Sequence, residues 1–344
     1  GAIFEERDGG LGLDATGIAT LCEALGRGLV AEPLIENVVL AGRLFAACAT
    51  RALRESLLPG LVSGARRVAL AHAEARGRGG RLWVETCADT NGAGPRLTGT
   101  KSCVPAGTGV DGFLVSARTS GKPNARDGIG LYFVPPHAPG LRVESWRQAD
   151  GSMAAALHLD DVAVSPEHCL AGDAAAIDAA QDRANLARAA EALGIMESLF
   201  AQTLEYLRTR EQFGTRLGSF QALQHRMVAQ YAIIERCRAL LNLALVNDGK
   251  AEFPHSVRGA RAFISDASLT LGHEMIQMHG GMGVSEPPCA SFLVCSMSRA
   301  SPRRQSATRM RSGRMLSAVL TRSRMAIWPR PSALAGRASR LIRW

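Results

Sequence analysis

Between residues 66 and 165 the sequence offers no run of about ten residues at helical spacing. It offers instead short runs rich in β-branched and apolar residues: RRVALAHAE, RLWVETCAD, PRLTGTKSCV, DGFLVSART, GIGLYFVPP and AAALHLDDVAV. Gly, Pro, Asn and Asp separate them. Parallel neighbours need a crossover, usually a helix, between strands. Without one, this stretch is restricted to a small antiparallel β domain.

The flanks follow another period. Residues 13–62 read as helices, with Ile18, Leu21, Cys22 and Leu25 at helical spacing. A second helical stretch over 43–62 breaks at Pro59 and Gly60. From about Gly172 three long amphipathic stretches follow, the second with Ser219 as candidate N-cap and Phe220, Leu223, Met227, Tyr231 and Ile234 on one face. The expected fold is therefore α+β and multidomain. Residues 1–65 form an N-terminal helical domain, 66–165 the middle antiparallel β domain and 170–285 a C-terminal helical bundle. Residues 286–344 form an arginine-rich tail.

That tail dominates the charge. The 344 residues carry a formal net charge of +9, but 12 of the 40 Lys and Arg and one of the 31 Asp and Glu lie from Glu286 onward. Residues 1–285 are left with a net charge of −2. The body has no bulk electrostatic reason to bind nucleic acid. No apolar run is long enough to span a membrane. The eight cysteines include no C-x-x-C pair and no set at zinc spacing, which fits scattered thiols in a reducing cytoplasm and no metal site.

Two glycine patterns imitate a dinucleotide fingerprint: Gly10, Gly12 and Ala15, and Gly107, Gly109 and Gly112. The fingerprint needs a strand before it and a helix after it. The first follows EERD and the second precedes FLVSAR, so neither context fits.

More specific is the string Arg210-Glu211-Gln212-Phe213-Gly214, continuing through Leu217 to Phe220, Gln221, Gln224 and His225. Some sixty residues on comes Gln277-Met278-His279-Gly280-Gly281-Met282-Gly283. Taken singly, Arg210 reads as a solvated charge, Phe213 as core and the Gly pair as a helix C-cap. Jointly, R-x-Q-F-G-x-x-L-x-x-F-Q-x-x-Q-H and Q-x-H-G-G-x-G resemble the C-terminal helical domain of acyl-CoA dehydrogenases. GGLGL at 9–13, LTGTKS at 97–102 and LDDVAVSPE at 159–167 resemble further strings of that family. The resemblance covers residues 1–285 and reaches, within the family, toward the small-subunit branch that includes pimeloyl-CoA dehydrogenase.

The resemblance implies FAD as cofactor, an acyl-CoA substrate and an electron-transfer flavoprotein or similar acceptor. It also implies a homodimer, a homotetramer or a heterotetramer with a paralogous subunit. Carried over position by position, Arg210, Gln212, Phe213, Gln277, Gly280, Gly281 and Gly283 are the cofactor-binding candidates. Arg210 offers a planar cationic fork, and the glycines let backbone amides approach a phosphate. In the family the site is shared: the Arg and Phe positions serve one subunit's flavin, the Gln and Gly segment the other's.

The chain also departs from the family. The chemistry needs a carboxylate at the substrate's α-carbon. Nothing after Gly283 matches the E-G-T motif that often carries it, and Glu286 falls too early. The alternative position, on the first bundle helix, falls near Ala184. Glu191, two turns on, is the nearest candidate, and ordinary burial preferences make it an exposed helix acid. Cys103 and Pro105 replace the family's W-x-T beside the flavin ring, and Ala73-Glu74-Ala75 replaces T-E-P. Beside the family, which has further helices before G-G-x-G, the sequence is expected to begin late. The last bundle helix is expected to be lost or replaced, by a frameshift first and a natural basic arm second. A non-catalytic partner subunit and a nucleic-acid-binding tail are the competing functions.

Overall fold

The computed structural model describes residues 1–77, 80–92, 94–148 and 150–285. The tail, with every expectation placed on it (frameshift, nucleic-acid arm, replaced last helix, Glu286), lies outside the described residues. Helix α1 (Ala15–Arg27) starts at Asp14, whose side chain accepts from the Gly17 N–H at 2.7 Å. A π-helical segment (Leu34–Gly42) runs directly into α2 (Arg43–Cys48), and α3 (Arg51–Ser63) follows Thr50. The break therefore falls at Ala49 and Thr50. Pro59 sits inside α3 rather than ending it, and the helix reaches Gly64, whose φ of 82° closes it. The π-helical turn was not expected: a wider winding leaves no simple sequence period.

The middle layer is an eight-stranded sheet in the order β6-β7-β3-β2-β4-β5-β8, with β1 on β4. The strands are β1 (Val68–Ala71), β2 (Cys87–Asp89), β3 (Arg96–Pro105), β4 (Gly112–Arg118), β5 (Ile129–Val134), β6 (Leu141–Arg147), β7 (Met153–Ala163) and β8 (Cys169–Leu170). It is not purely antiparallel. β1 pairs with β4 in parallel, Val68 to Gly112 through Ala71 to Val115, and Cys87 of β2 meets Arg118 the same way. The chain between β1 and β4 passes through β2 and β3, so the crossover is made of strands and needs no helix. β8 carries the sheet to Leu170, past the expected boundary at 165. β6 was missed because its alternation of half-buried Leu141, Val143 and Trp146 with exposed Arg142, Ser145 and Arg147 marks an edge strand that reads as a polar loop.

Period-two alternation assigns the faces. Val68, Leu70, Leu114, Ile129, Leu131 and Phe133 enter one core with the helices. Ala69, Ala71, Phe113, Val115, Ala117, Tyr132 and Val134 enter a second core within the β layer. Every residue of β4 is buried, so it reads as a continuous apolar run.

Helix α4 (Ala174–Thr209) leads the C-terminal layer, followed by α5 (Gln221–Val246), α6 (Phe253–His279) and the short α7 (Met282–Ser285). Ser219 is not the cap of α5. That place belongs to Phe220, and the Ser219 hydroxyl donates to the Arg216 carbonyl at 2.7 Å. The buried face of α5 is Met227, Gln230, Ile234, Cys237, Leu241 and Ala244, while Tyr231 is exposed.

Two features join the layers. Helices α1 and α4 cross at paired glycines: a Cβ on Gly26 would lie 2.1 Å from the Glu191 carbonyl oxygen, and one on Gly194 2.0 Å from that of Glu23. The buried Asp182 carboxylate of α4 accepts from Arg81 of the β layer at 2.9 Å and from Arg258 of α6 at 2.9 and 2.6 Å.

Candidate functional site

Thr209 ends α4, and Arg210 turns the chain outward with its N–H still on the Tyr206 carbonyl at 2.8 Å. A two-residue hairpin follows. β9 (Glu211–Gln212) pairs with β10 (Thr215–Arg216), and Phe213 and Gly214 form the turn with φ of 59° and 79°. Both φ values are positive, the pattern of a type I′ turn, which prefers Asn and Gly. A phenylalanine there costs of order 1–3 kcal/mol of backbone strain and marks a position kept for something other than local stability. Its side chain is not core, since Phe213 is 90% exposed. The ring meets only the edge of Phe220 among the described aromatic rings, centroids 6.4 Å apart. Arg210 and Gln212 are also exposed, and Arg210 makes no ion pair among the described residues.

The second motif lies at the same end of the bundle. His279, the last residue of α6, is buried and stacks on Tyr206 with ring centroids 4.3 Å apart. Its Nδ1 lies 2.9 Å from the Met275 carbonyl. Tyr206 is one turn before Arg210, so this stack fixes the two predicted arms side by side in one chain. Gly280 then leaves the helix with φ 60° and ψ −136°, its N–H on the Gln277 carbonyl. A Cβ on Gly280 or Gly281 would meet nothing within 4 Å among the described residues, so packing does not require glycine at either position. Gly283 differs: it is buried, and a Cβ there would lie 2.6 Å from the Ile276 carbonyl oxygen. Packing alone accounts for that glycine.

A third region gathers where the layers meet. The β3–β7 register shifts between Lys101 and Val104, so a bulge frees Ser102 and Cys103. They turn to the end of β1 instead, with the Ser102 N–H on the Ala73 carbonyl at 2.9 Å and a bridge from Ala73 to Cys103. Beneath them Lys101, wholly buried, donates to Glu74 at 2.7 Å and Ser116 at 3.1 Å. Glu74 also accepts from the N–H groups of Glu85 and Thr86 and from the Thr86 hydroxyl. Burial pushes the Lys101 ammonium down to about 8, against the pull of Glu74. Glu74 is raised by burial, but the Lys101 charge and the hydrogen bonds outweigh this and hold it below the usual range.

Cys103 is buried, and burial first, then the Glu36 carboxylate, pushes its thiol up to about 11. Glu36 belongs to the π-helical segment and receives a bidentate fork from Arg188 of α4, at 3.0 and 2.7 Å. Its neighbour Asn37 donates to the Val68 and Ala106 carbonyls, fastening that segment to the β layer. Glu36, Asn37 and Arg188 were not foreseen: the ion pair spans 152 positions, and no local pattern links its ends.

Ala184 is fully buried and brings no carboxylate. Glu191 is 6% exposed, contrary to the expected exposed acid, because the glycine crossing presses α1 against the backbone of α4 there. Among the described residues no His, Cys, Asp and Glu cluster could hold a metal, and no helix is long and apolar enough to cross a membrane. Of the glycine decoys, Gly107 to Gly112 leads into β4, and Gly10 to Ala15 follows a 3₁₀ turn.

Comparison with known proteins agrees with this geometry. The family model for the acyl-CoA dehydrogenase C-terminal domain matches residues 176–337, a span that continues past Ser285 into the arginine-rich stretch. The acyl-CoA dehydrogenase FadE27 of Mycobacterium tuberculosis is 31% identical over 80% of this chain and 74% of its own. The solved Tcur3481-Tcur3483 steroid ACAD variant superimposes with a TM-score of 0.76 at 31% identity, over 94% of this chain and 86% of that one. The ChsE4-ChsE5 complex from Mycobacterium tuberculosis gives 0.73 at 27% identity, over 91% and 83%.

Proposed function

This chain belongs to the acyl-CoA dehydrogenase family, and from that premise we propose that it holds FAD between the bundle end and the β layer and acts on an acyl-CoA thioester. The observation that carries the reading is an exposed, strained Phe213 beside Arg210, which makes no ion pair among the described residues. A hairpin that spends backbone energy to expose an aromatic ring beside an uncompensated guanidinium suits a flat, anionic partner. FAD is that partner in this family. Arg210 answers the pyrophosphate or ribose and Phe213 packs against a ring of one subunit's flavin, while Gly280 and Gly281 admit a phosphate or ribose of the other subunit's flavin without a Cβ in the way. At the ring the fit is by backbone, since Cys103 and Pro105 bring no hydroxyl. Bound FAD supplies the acceptor for the substrate's β-hydride.

A second reading is favoured by Ala184. With no carboxylate at that position, the chain works as one half of a heteromer whose paralogous subunit removes the α-proton. Two solved relatives carry paired names, Tcur3481-Tcur3483 and ChsE4-ChsE5.

The test is purification of the full chain with added FAD, alone and co-expressed with a paralogue bearing the missing carboxylate. Yellow protein reduced by an acyl-CoA is expected. Phe213→Ala should weaken FAD retention about fivefold or more while leaving the melting temperature unchanged, because the ring contributes little to the core. Colourless protein in both preparations overturns the reading. Full activity of the isolated chain removes the heteromer.

A further inference from the structure

We propose that Asn37 is a positioning residue for the flavin ring: it holds Ala106 in a left-handed turn and so fixes the backbone from Ser102 to Pro105, against which the ring lies. This rests on the proposed reading of that backbone as the bed of FAD. Asn37 belongs to the π-helical segment of the N-terminal layer and is 3% exposed. Its Nδ2 donates to the Val68 carbonyl at 2.8 Å and to the Ala106 carbonyl at 3.3 Å. Both partners can only accept, so chemistry decides which end of the amide faces them. The other end, Oδ1, is buried with no hydrogen-bond partner among the described residues. An amide buried with its acceptor unanswered gains little stability of its own.

The second observation is the backbone of Ala106. Its φ is 53°, in the left-handed region, where a residue with a Cβ is strained. Such strain persists only where neighbours hold the residue from more than one side. The Ala106 N–H donates to the Met153 carbonyl of β7 at 2.8 Å, and its carbonyl accepts from Asn37. The Gly107 N–H closes the turn on the Val104 carbonyl at 3.2 Å. Ala106 directly follows β3, whose bulge has turned Ser102 and Cys103 onto Ala73. With one amide, Asn37 spans the start of β1 and the turn after β3. The two strands that carry the ring-side backbone are thus set from the helical layer. Cys103 and Pro105 bring no hydroxyl, so a shift of that backbone has no side chain to offset it.

Fluorescence titration of FAD into the full chain, with visible spectra of the bound flavin, tests this. Asn37→Leu keeps a similar size and removes the donor. It should weaken FAD binding about fivefold or more and blur the resolved shoulders of the flavin band. Adding Ala106→Gly to it should restore both toward the wild type, because glycine adopts the left-handed turn unaided. A general loss of packing would not be repaired that way. Ala106→Val drives the turn out of the left-handed region without touching the helical layer; it should weaken FAD binding alike, and it serves if Asn37→Leu does not fold. The alkylation rate of Cys103 in FAD-free protein reads the same segment. It should rise in Asn37→Leu and fall back in the double variant. Wild-type affinity, spectrum and alkylation rate in Asn37→Leu overturn the proposal, as does a loss that Ala106→Gly leaves unrepaired. A wild type that takes up no FAD refutes the cofactor reading and this role with it; uptake by the wild type and an unchanged Asn37→Leu refute the role of Asn37 alone.

Discussion

Replacing Gly194 by alanine should destabilise the protein, although alanine is the better helix former. A Cβ at 194 would stand 2.0 Å from the Glu23 carbonyl oxygen and 2.9 Å from its carbon. Ordinary carbon–oxygen contact begins near about 3.3 Å, so α1 and α4 would have to part by roughly 1.3 Å. Parting them also loosens Arg27 from Glu197, now at 2.7 and 3.2 Å. Overpacking of this kind costs about 1–3 kcal/mol, and the alanine returns about 1 kcal/mol of helix propensity. The net loss is up to about 2 kcal/mol, or a few degrees in Tm for a chain of this size. Gly259 supplies the control. It is exposed on α6, with nothing within 4 Å of a Cβ, so Gly259→Ala should raise stability by about 0.5–1 kcal/mol. Denaturant unfolding and calorimetry of both variants decide the matter. One chemical change must give opposite signs at the two sites; if Gly194→Ala is as stabilising as Gly259→Ala, the crossing is not the tight contact described.

Lys101 makes stability depend on pH. Its folded value is about 8 against 10.5 for the free side chain, so between those values the unfolded chain binds the proton that the native state releases. Native stability, measured against Lys101→Met, should therefore rise as pH climbs from about 8 to about 10.5 and stay level below that window; a fall across it would contradict the burial of this ammonium. Among the described cysteines, labelling of native protein should strike the exposed Cys87 far faster than Cys103, because the latter is buried with a thiol near 11. Mass spectrometry of alkylated peptides reads this, and equal rates would refute the closed β1–β3 junction.

Much of the layer order was legible because burial follows period. Val68 and Leu70 face one core and Ala69 and Ala71 the other, as strict alternation requires. The motif residues were legible as types, since an R-x-Q-F-G string is rare. Their geometry was not: nothing in the string says that Phe213 occupies a left-handed turn and stands in the open. β6 escaped because an edge strand with Arg142, Glu144 and Arg147 carries little apolar signal. Glu191 was misjudged because its burial depends on Gly26, far away in sequence and supplied only by the fold. Glu36 and Arg188 were invisible for the same reason, as each is unremarkable beside its own neighbours.

The Asp182 carboxylate, shared by Arg81 and Arg258, bears on how this architecture can be rearranged. A β layer transplanted from a relative would arrive without its half of that bargain unless the donor also places a cation where Arg81 stands. The graft would then leave the buried Asp182 carboxylate with Arg258 of α6 as its one guanidinium partner in place of two. Residue 81 is therefore the first position to match when chimeras of such chains are built, ahead of any residue at the cofactor.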